Sequence, residues 1–483
     1  MDNTPILEVK NVSKYFGSVV ANKNVNITVN RGEVLAILGE NGSGKTTLMN
    51  MIAGIYYPDE GSIFVNGKEA DIRSPQDAFK YKIGMVHQHF KLVDIFTAAQ
   101  NIVLGLNDEK YKMKEISSKA YDIAMKYGFE LDPDKKVYNM SVSEKQTVEI
   151  IKVLYRGADL LILDEPTAVL TPQEIDKLFN VVRAMRADGK SILIITHKLN
   201  EVMAISDRVA VLRKGEYITT VNTKETTEQQ LTEMMVGKKV ELKIDRVKTE
   251  VQKPLLEIRN LEINSDDGSK AIDDVSFYIR GGEILGVAGV AGCGQKELCE
   301  AIAGLRPLKG AIMHKGESIV GLPAKEIIKK GVSMSFIPED RLGMGLAPSF
   351  SITDNVMLKT YSDTKGPFVD RKIAREKARS IIKELGIVTP STETPVRRLS
   401  GGNVQKVLVG REIETSPNVI ITAYPVRGLD INSSYAIYNI LNDQKAKGVG
   451  ILFIGEDLDV MLALCDKIMV LCHGKNMGIV HAD

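Results

Sequence analysis

The chain has little charge imbalance, no long hydrophobic run and few cysteines. Its 63 lysines and arginines stand against 62 aspartates and glutamates, a formal net charge of +1. A surface without a dominant sign excludes the footprint of a nucleic-acid binder, and attraction to an anionic bilayer by charge alone. The apolar runs, such as Ser191 to Ile195, have strand length and fall far short of the ~20 residues that span a bilayer as a helix. Direct membrane insertion is therefore not expected, and any membrane role has to run through partner subunits. The N-terminal Met1-Asp2-Asn3-Thr4-Pro5 carries no signal-peptide pattern. The four cysteines (Cys293, Cys299, Cys465, Cys472) lack metal-ligand spacing and read as reduced, buried thiols of a cytosolic protein. With 483 residues, 44% hydrophobic and 26% charged, the chain is a globular protein too long for one core.

What is present is a phosphate-binding loop. Gly39-Glu40-Asn41-Gly42-Ser43-Gly44-Lys45-Thr46-Thr47 follows the apolar run Val34 to Leu38 and precedes Leu48 to Ile52, which reads as a helix. Strand, loop and helix in that order are the context the pattern requires. Its glycines let backbone N–H groups curl around phosphate oxygens, and the helix N-terminus adds its positive dipole end. Lys45 suits the β- and γ-phosphates of a nucleotide, and the Thr46 hydroxyl suits Mg²⁺.

The loop occurs twice, and the second copy is broken. Gly289-Val290-Ala291-Gly292-Cys293-Gly294-Gln295-Lys296-Glu297 keeps the glycines but has Gln295 for the lysine and Lys296 for the hydroxyl residue. Val34 to Gly39 answers to Ile284 to Gly289, and Ile52 to Gly54 to Ile302 to Gly304, at an offset of 250 (289 − 39). Further on, Ile192 to Ile195 matches Ile451 to Ile454 and Asp207 to Leu212 matches Asp466 to Leu471, at 259 (466 − 207). A repeat this long is a duplicated domain. Residues 1–240 and 255–483 are the expected domains, joined by a charge-rich, exposed linker at 241–254. Buried strands alternating with polar-faced helices predict an α/β fold with a mostly parallel sheet in each domain. The segments Asp94–Asp134 and Ile352–Gly386 have helical period and could form separate helical lobes.

Downstream, Leu160 to Leu163 leads into Asp164-Glu165. Beside a phosphate loop, Asp164 suits Mg²⁺ coordination, and Glu165 suits polarising the water that attacks the γ-phosphate. His197 closes the next strand and could bond the γ-phosphate; Gln88 ends another, and its amide could reach Mg²⁺ and the attacking water. Phe16 is an aromatic that could stack on adenine, and core packing serves it equally well.

These residues resemble those of tandem ATP-binding cassette (ABC) proteins over nearly the whole chain. The family's signature stands at Leu399-Ser400-Gly401-Gly402-Asn403 and leads into a helix. The resemblance implies two RecA-like parallel-sheet cores, each with an antiparallel β subdomain and a helical lobe, stacked head to tail. ATP would then lie between the loop of one copy and the signature of the other, adding Ser400, Gly401, Gly402, Asn403 and Asp430 to the site residues. In the first copy the signature position reads Met140-Ser141-Val142-Ser143-Glu144, without the glycines. In the second copy Ala423-Tyr424 replace Asp164-Glu165, Glu456 replaces His197, Glu339 falls near the Gln88 position and Asp266 stands at the Phe16 position. Paired in the family's way, these losses fall on one site and spare the other: one working ATPase site, one degenerate. The pattern resembles the ATPase subunit of bacterial importers for simple sugars and nucleosides. Val86 to Val93, Arg156 to Asp159 and Ala168 to Glu174 are most similar to the nucleoside branch. Integral membrane permease subunits, and through them a substrate-binding lipoprotein, are the implied partners. The implied place is the cytoplasmic face of the membrane, as a peripheral subunit. A soluble ABC protein acting on ribosomes and a nucleotide-gated scaffold are the readings from other classes.

Overall fold

The apolar runs become strands buried along their full length. In this computed structural model all residues are described except 1–3, 18, 88–89, 107–111, 168–169, 197, 238–243, 251, 266–267, 291, 337–344, 362–369, 428, 430, 456 and 483. The chain divides into two units, Met1–Glu241 and Leu242–Asp483. In the first, strand Val34–Leu38 lies between Ser191–Ile195 and Arg208–Arg213, parallel to both. Leu160–Asp164 and Ile83–Val86 extend the parallel set. Every residue of Val34–Leu38, Leu160–Asp164 and Ser191–Ile195 is buried, as a sheet covered on both faces requires. Their carboxyl ends line up along one edge, the position at which open α/β sheets bind ligands.

The antiparallel strands Leu7–Phe16, Val19–Val29 and Glu60–Val65 form the β subdomain. Among the described residues it joins the core sheet through one strand pairing, Lys23 with Glu216. The second unit repeats the plan as two sheets. Its parallel core centres on Ile284–Ala288, between Gly450–Ile454 and Lys467–Cys472. The expected fold class is therefore found in both copies.

The helical lobes include the segments 94–134 and 352–386 that the period marked, and each gains one further helix beyond them. The first holds Ala98–Val103, Met113–Tyr127 and Val142–Tyr155; the second holds Ile352–Thr360, Arg371–Glu384 and Gly401–Ile413. Each is pinned by a fully buried asparagine. The Asn101 carboxamide accepts from the Val93 N–H (2.7 Å) and donates to the Val93 carbonyl (3.1 Å). Asn355 does the same with Ala347, at 2.8 and 3.1 Å.

The duplication extends to its fastenings. Asp207 accepts from the N–H of Val34 and pairs with Arg186, while Asp466 accepts from that of Ile284 and pairs with Lys445 (2.6 Å). One expectation is corrected. Within the described part of the linker, 244–250 and 252–254, the first stretch is fastened to the second unit and not simply exposed. The Arg246 guanidinium donates to the carbonyls of Cys465 (3.0 Å) and Ala482 (2.6 Å), and Thr249 donates to the Gly282 carbonyl. Charge density suggested solvent, but a guanidinium with five donors can satisfy carbonyls left over at the ends of a helix and a strand.

Lys445 has no exposed side-chain surface, whereas Arg186 is 45% exposed. Asp466→Ala should therefore cost ~3 kcal/mol by leaving a buried ammonium unpaired, and Asp207→Ala clearly less. Urea midpoints of the two variants check this, and equal midpoints would contradict it.

Candidate functional site

The phosphate loop is shaped by close approaches that only glycine allows. A Cβ at Gly39 would meet the Leu212 carbonyl and the Ser43 hydroxyl, and one at Gly44 would meet the Ala21 carbonyl and the Asn22 side chain. Gly44, with φ of 92°, opens helix Lys45–Ile52. Asn22 donates to its carbonyl at 3.2 Å. The loop is thus held between the core strand Arg208–Arg213 and the β subdomain.

Lys45 is buried, and its Nζ donates to the carbonyls of Gly39 (2.7 Å) and Glu40 (3.0 Å). Burial lowers its pKa, opposed by the carboxylates of Glu165, Asp164 and Glu40. Asp164 is buried at the end of its strand. Burial and the neighbouring Glu165 push its pKa up to about 6, against the pull of Lys45. A buried carboxyl raised by a second carboxyl is a group that gains from a cation. Glu165 sits in the left-handed region, φ 45°, with its N–H bonded to the Ile195 carbonyl at 2.9 Å. Such a conformation costs a non-glycine residue roughly 1–3 kcal/mol. The structure therefore brings Lys45, Asp164 and Glu165 together. Thr46 stands exposed and Thr47 half-buried in the first turn of the helix. Gln88, His197 and Asp430 lie outside the described residues, as do Asp266, Glu339 and Glu456 of the second copy.

The residues fit a nucleotide and its metal. Ser43 Oγ is buried without a hydrogen-bond partner among the described residues, so the loop holds a polar atom in want of a ligand. Thr46 and Asp164 offer the oxygen donors that suit Mg²⁺. Phe16, left between two expectations by the sequence, is 43% exposed at its strand end and not part of the core.

The second unit keeps the shape without the chemistry. Gly294 has φ of 102°, and a Cβ at Gly289 would meet the Leu471 carbonyl. Gln295 is buried like Lys45 and donates to the Val290 carbonyl (3.1 Å). Tyr424 takes the conformation of Glu165, φ 53°, with its N–H on the Ile454 carbonyl.

The two signature helices differ in how their first turns are used. Ser400, exposed, makes no side-chain cap to helix Gly401–Ile413; its hydroxyl accepts only from Asn403 Nδ2 at 2.9 Å, among the bonds described. Ser141 closes a capping box: it accepts from the Glu144 N–H, and the Glu144 carboxylate accepts from its own N–H at 2.7 Å. Lys135 holds that carboxylate at 2.6 Å. The Ser-x-x-Glu spacing was the legible signal for this.

The ABC transporter family model matches residues 22–168 and 272–425. The chain belongs to this family. It is 41% identical to the guanosine import ATP-binding protein NupO of Bacillus subtilis, over 99% of this chain and 94% of that one. To the nucleoside import ATP-binding protein NupA of Lactococcus lactis subsp. cremoris it is 39% identical, over 99% and 96%. To the glucose import ATP-binding protein TsgD13 of Haloferax volcanii it is also 39% identical, over 98% and 93%. As a two-cassette member of this family, the chain is an ATP hydrolase of the transporter class.

Lys45→Ala should weaken ATP binding and turnover together, because the phosphates lose a charge partner in a dry loop. Glu165→Gln should keep ATP binding and lower turnover ~100-fold or more. Nucleotide titration and phosphate release measure both, and near-normal turnover in either variant removes that residue from the site.

Proposed function

We propose that this chain is the ATP-hydrolysing subunit of a nucleoside importer, with one competent and one degenerate nucleotide site. The observation that carries the reading is the meeting of Lys45, Asp164 and Glu165 at one loop, together with the loss of all three in the second copy. Residues 1–240 and 255–483 are the two cassettes, with 241–254 between them. Gly39 to Thr47 hold the triphosphate, and Phe16 stacks on the base. Thr46, Asp164 and Gln88 hold Mg²⁺, which supplies neutralisation of phosphate charge when bound. Glu165 takes a proton from the attacking water, and His197 bonds the γ-phosphate. Ser400, Gly401, Gly402, Asn403 and Asp430 complete the site from the second copy, as head-to-tail pairing in the family implies.

Ser400, which makes no side-chain cap to its helix, and Ser141, which closes a capping box on its own, support this division of labour. A helix start with open N–H groups is ready for an anion, while Glu144 already places a carboxylate at the other. The substrate class follows the names of NupO and NupA. TsgD13, at the same identity as NupA, favours simple sugars as the second reading. No helix among the described residues is long and apolar enough to cross a membrane. Its likeness to import ATP-binding proteins supports a place at the cytoplasmic face, bound to permease subunits that receive substrate from a lipoprotein.

The docking surface for those subunits is the segment after Gln88. Phe90, Leu92, Val93 and Phe96 are half-buried there and Ile95 is 69% exposed. Glu149, buried in the lobe helix, accepts from the Lys91 N–H at 2.6 Å, which ties this segment to the lobe.

Ser400→Arg should abolish ATP turnover in the assembled transporter, and Ser141→Arg should lower it by less than about threefold, since bulk and charge at a site that turns nothing over cost ~0.6 kcal/mol or less. Equal damage would refute the unequal pairing. Phe90→Asp should lower co-purification with the permease subunits while ATP affinity stays within about twofold; normal assembly, or an unfolded variant, would place Phe90 in the lobe's own core.

A further inference from the structure

Phe16 does not stand alone at the end of its strand. Tyr56, in the turn after helix Lys45–Ile52, meets it edge to face, with ring centroids 5.2 Å apart and planes at 71°. Both rings are solvent-exposed in part, at 43% and 37%. The two segments are also fastened by charge. Lys14 Nζ donates to Asp59 Oδ1 at 2.9 Å and to the Tyr57 carbonyl at 2.8 Å. The other oxygen of Asp59 accepts from the Tyr15 N–H at 2.7 Å. Lys14 Nζ lies 5.6 Å from the centre of the Phe16 ring. The Tyr56 N–H is itself bonded to the Asn50 carbonyl at 3.1 Å, within the helix that begins at the phosphate loop.

An exposed phenylalanine at a strand end has two free rotors, and fixing them on binding costs roughly 0.5–1 kcal/mol. A partly exposed ring that is already held along one side is pre-organised to stack on a planar partner. We infer that Tyr56 is a positioning residue for the nucleotide base, bracing Phe16 so that its exposed surface is presented as a fixed platform. The inference rests on the reading that Phe16 stacks on the base.

The second copy is the internal control. The strand pairings Ser13 with Glu60 and Glu262 with Lys309 set the correspondence here: Lys14 and Asp59 answer to Ile263 and Leu308, and Arg306 stands in the turn where the first copy has Tyr56 and Tyr57. Arg306 there donates to the Asn264 carbonyl at 3.0 Å and to Glu300 at 2.9 Å. A polar staple holds the same two segments, so the fold does not need an aromatic at this turn. The aromatic pair occurs in the copy that keeps the lysine, the metal ligands and the base.

The test compares ATP with inorganic tripolyphosphate, which has the phosphates and no base, as competitors of a fluorescent nucleotide on the full-length protein. Tyr56→Ala should weaken ATP about two- to tenfold, the range for an aromatic pair, and leave tripolyphosphate unchanged. Tyr56→Phe, which keeps the ring edge, should restore ATP affinity; Tyr56→Leu, which keeps only bulk, should not. The Kd ratio of CTP to ATP should shrink in Tyr56→Ala. Phe16→Ala reports on the underlying reading: it should weaken ATP at least as much, again without touching tripolyphosphate. If Phe16→Ala weakens ATP and Tyr56→Ala matches the unaltered protein, the brace is overturned and the stacking reading stands. If Phe16→Ala has no effect, both fall. Loss of ATP and tripolyphosphate binding together in Tyr56→Ala and Tyr56→Leu overturns the brace in favour of a general structural role.

Discussion

A buried ammonium held on backbone carbonyls is the constraint around which the first unit is arranged. Lys45 Nζ has the carbonyls of Gly39 and Glu40 and the field of two carboxylates at the end of strand Leu160–Asp164, two strands from Val34–Leu38 in the sheet. A lysine can stay charged in such a place only where carbonyls and carboxylates converge on it. That convergence needs the parallel sheet, which delivers the end of Val34–Leu38 and the end of Leu160–Asp164 to the same edge. It also needs glycine at 39 and 44, where the Leu212 and Ala21 carbonyls approach from the core and from the β subdomain. The Gly215 N–H on the Ser43 carbonyl and the Lys23 N–H on the Gly215 carbonyl close the circuit between loop, core and subdomain.

The second unit separates what the fold requires from what the chemistry requires. Gly289 and Gly294 remain, with the same close carbonyls, so the loop shape persists after the lysine has gone. Tyr424 is more telling. It keeps the costly left-handed backbone of Glu165, and the same N–H bond to the neighbouring strand, although it has no carboxylate to aim. The strain at this strand end is therefore a property of the turn that closes the sheet edge. Glu165 makes use of a conformation that the architecture imposes in either copy.

Much of this was legible because it is written in local pattern. Continuous apolar runs gave buried parallel strands, the loop glycines gave positive φ, and the offset repeat gave two units. Features that depend on side chains meeting across elements were not legible. The spacing of Phe16 left stacking and core packing open, since nothing in it shows that Tyr56 comes to its edge. Charge density in 241–254 suggested solvent, whereas Arg246 spends its donors on the carbonyls of Cys465 and Ala482. The capping box at Ser141 was readable from its spacing. The Lys135 contact that anchors its glutamate, from outside the helix, was not.

That capping box also bears on the proposal of one competent and one degenerate site. A helix start that commits N–H groups to its own cap has fewer to offer an external anion. At Ser400 the neighbours Gly401 and Gly402 provide no side chain to close the turn, and Asn403 turns its amide onto the serine while its carbonyl oxygen accepts from the Val388 N–H. At Ser141 the Glu144 carboxylate satisfies the first N–H group, worth typically ~1 kcal/mol, and Lys135 neutralises it. An approaching phosphate would meet that carboxylate across a few ångströms and have to displace it from two partners. The substitution thus does more than remove a signature: it converts an open anion site into a stable helix terminus. On the proposed reading of one competent and one degenerate site, such a cap stabilises the helix without costing the protein a working anion site.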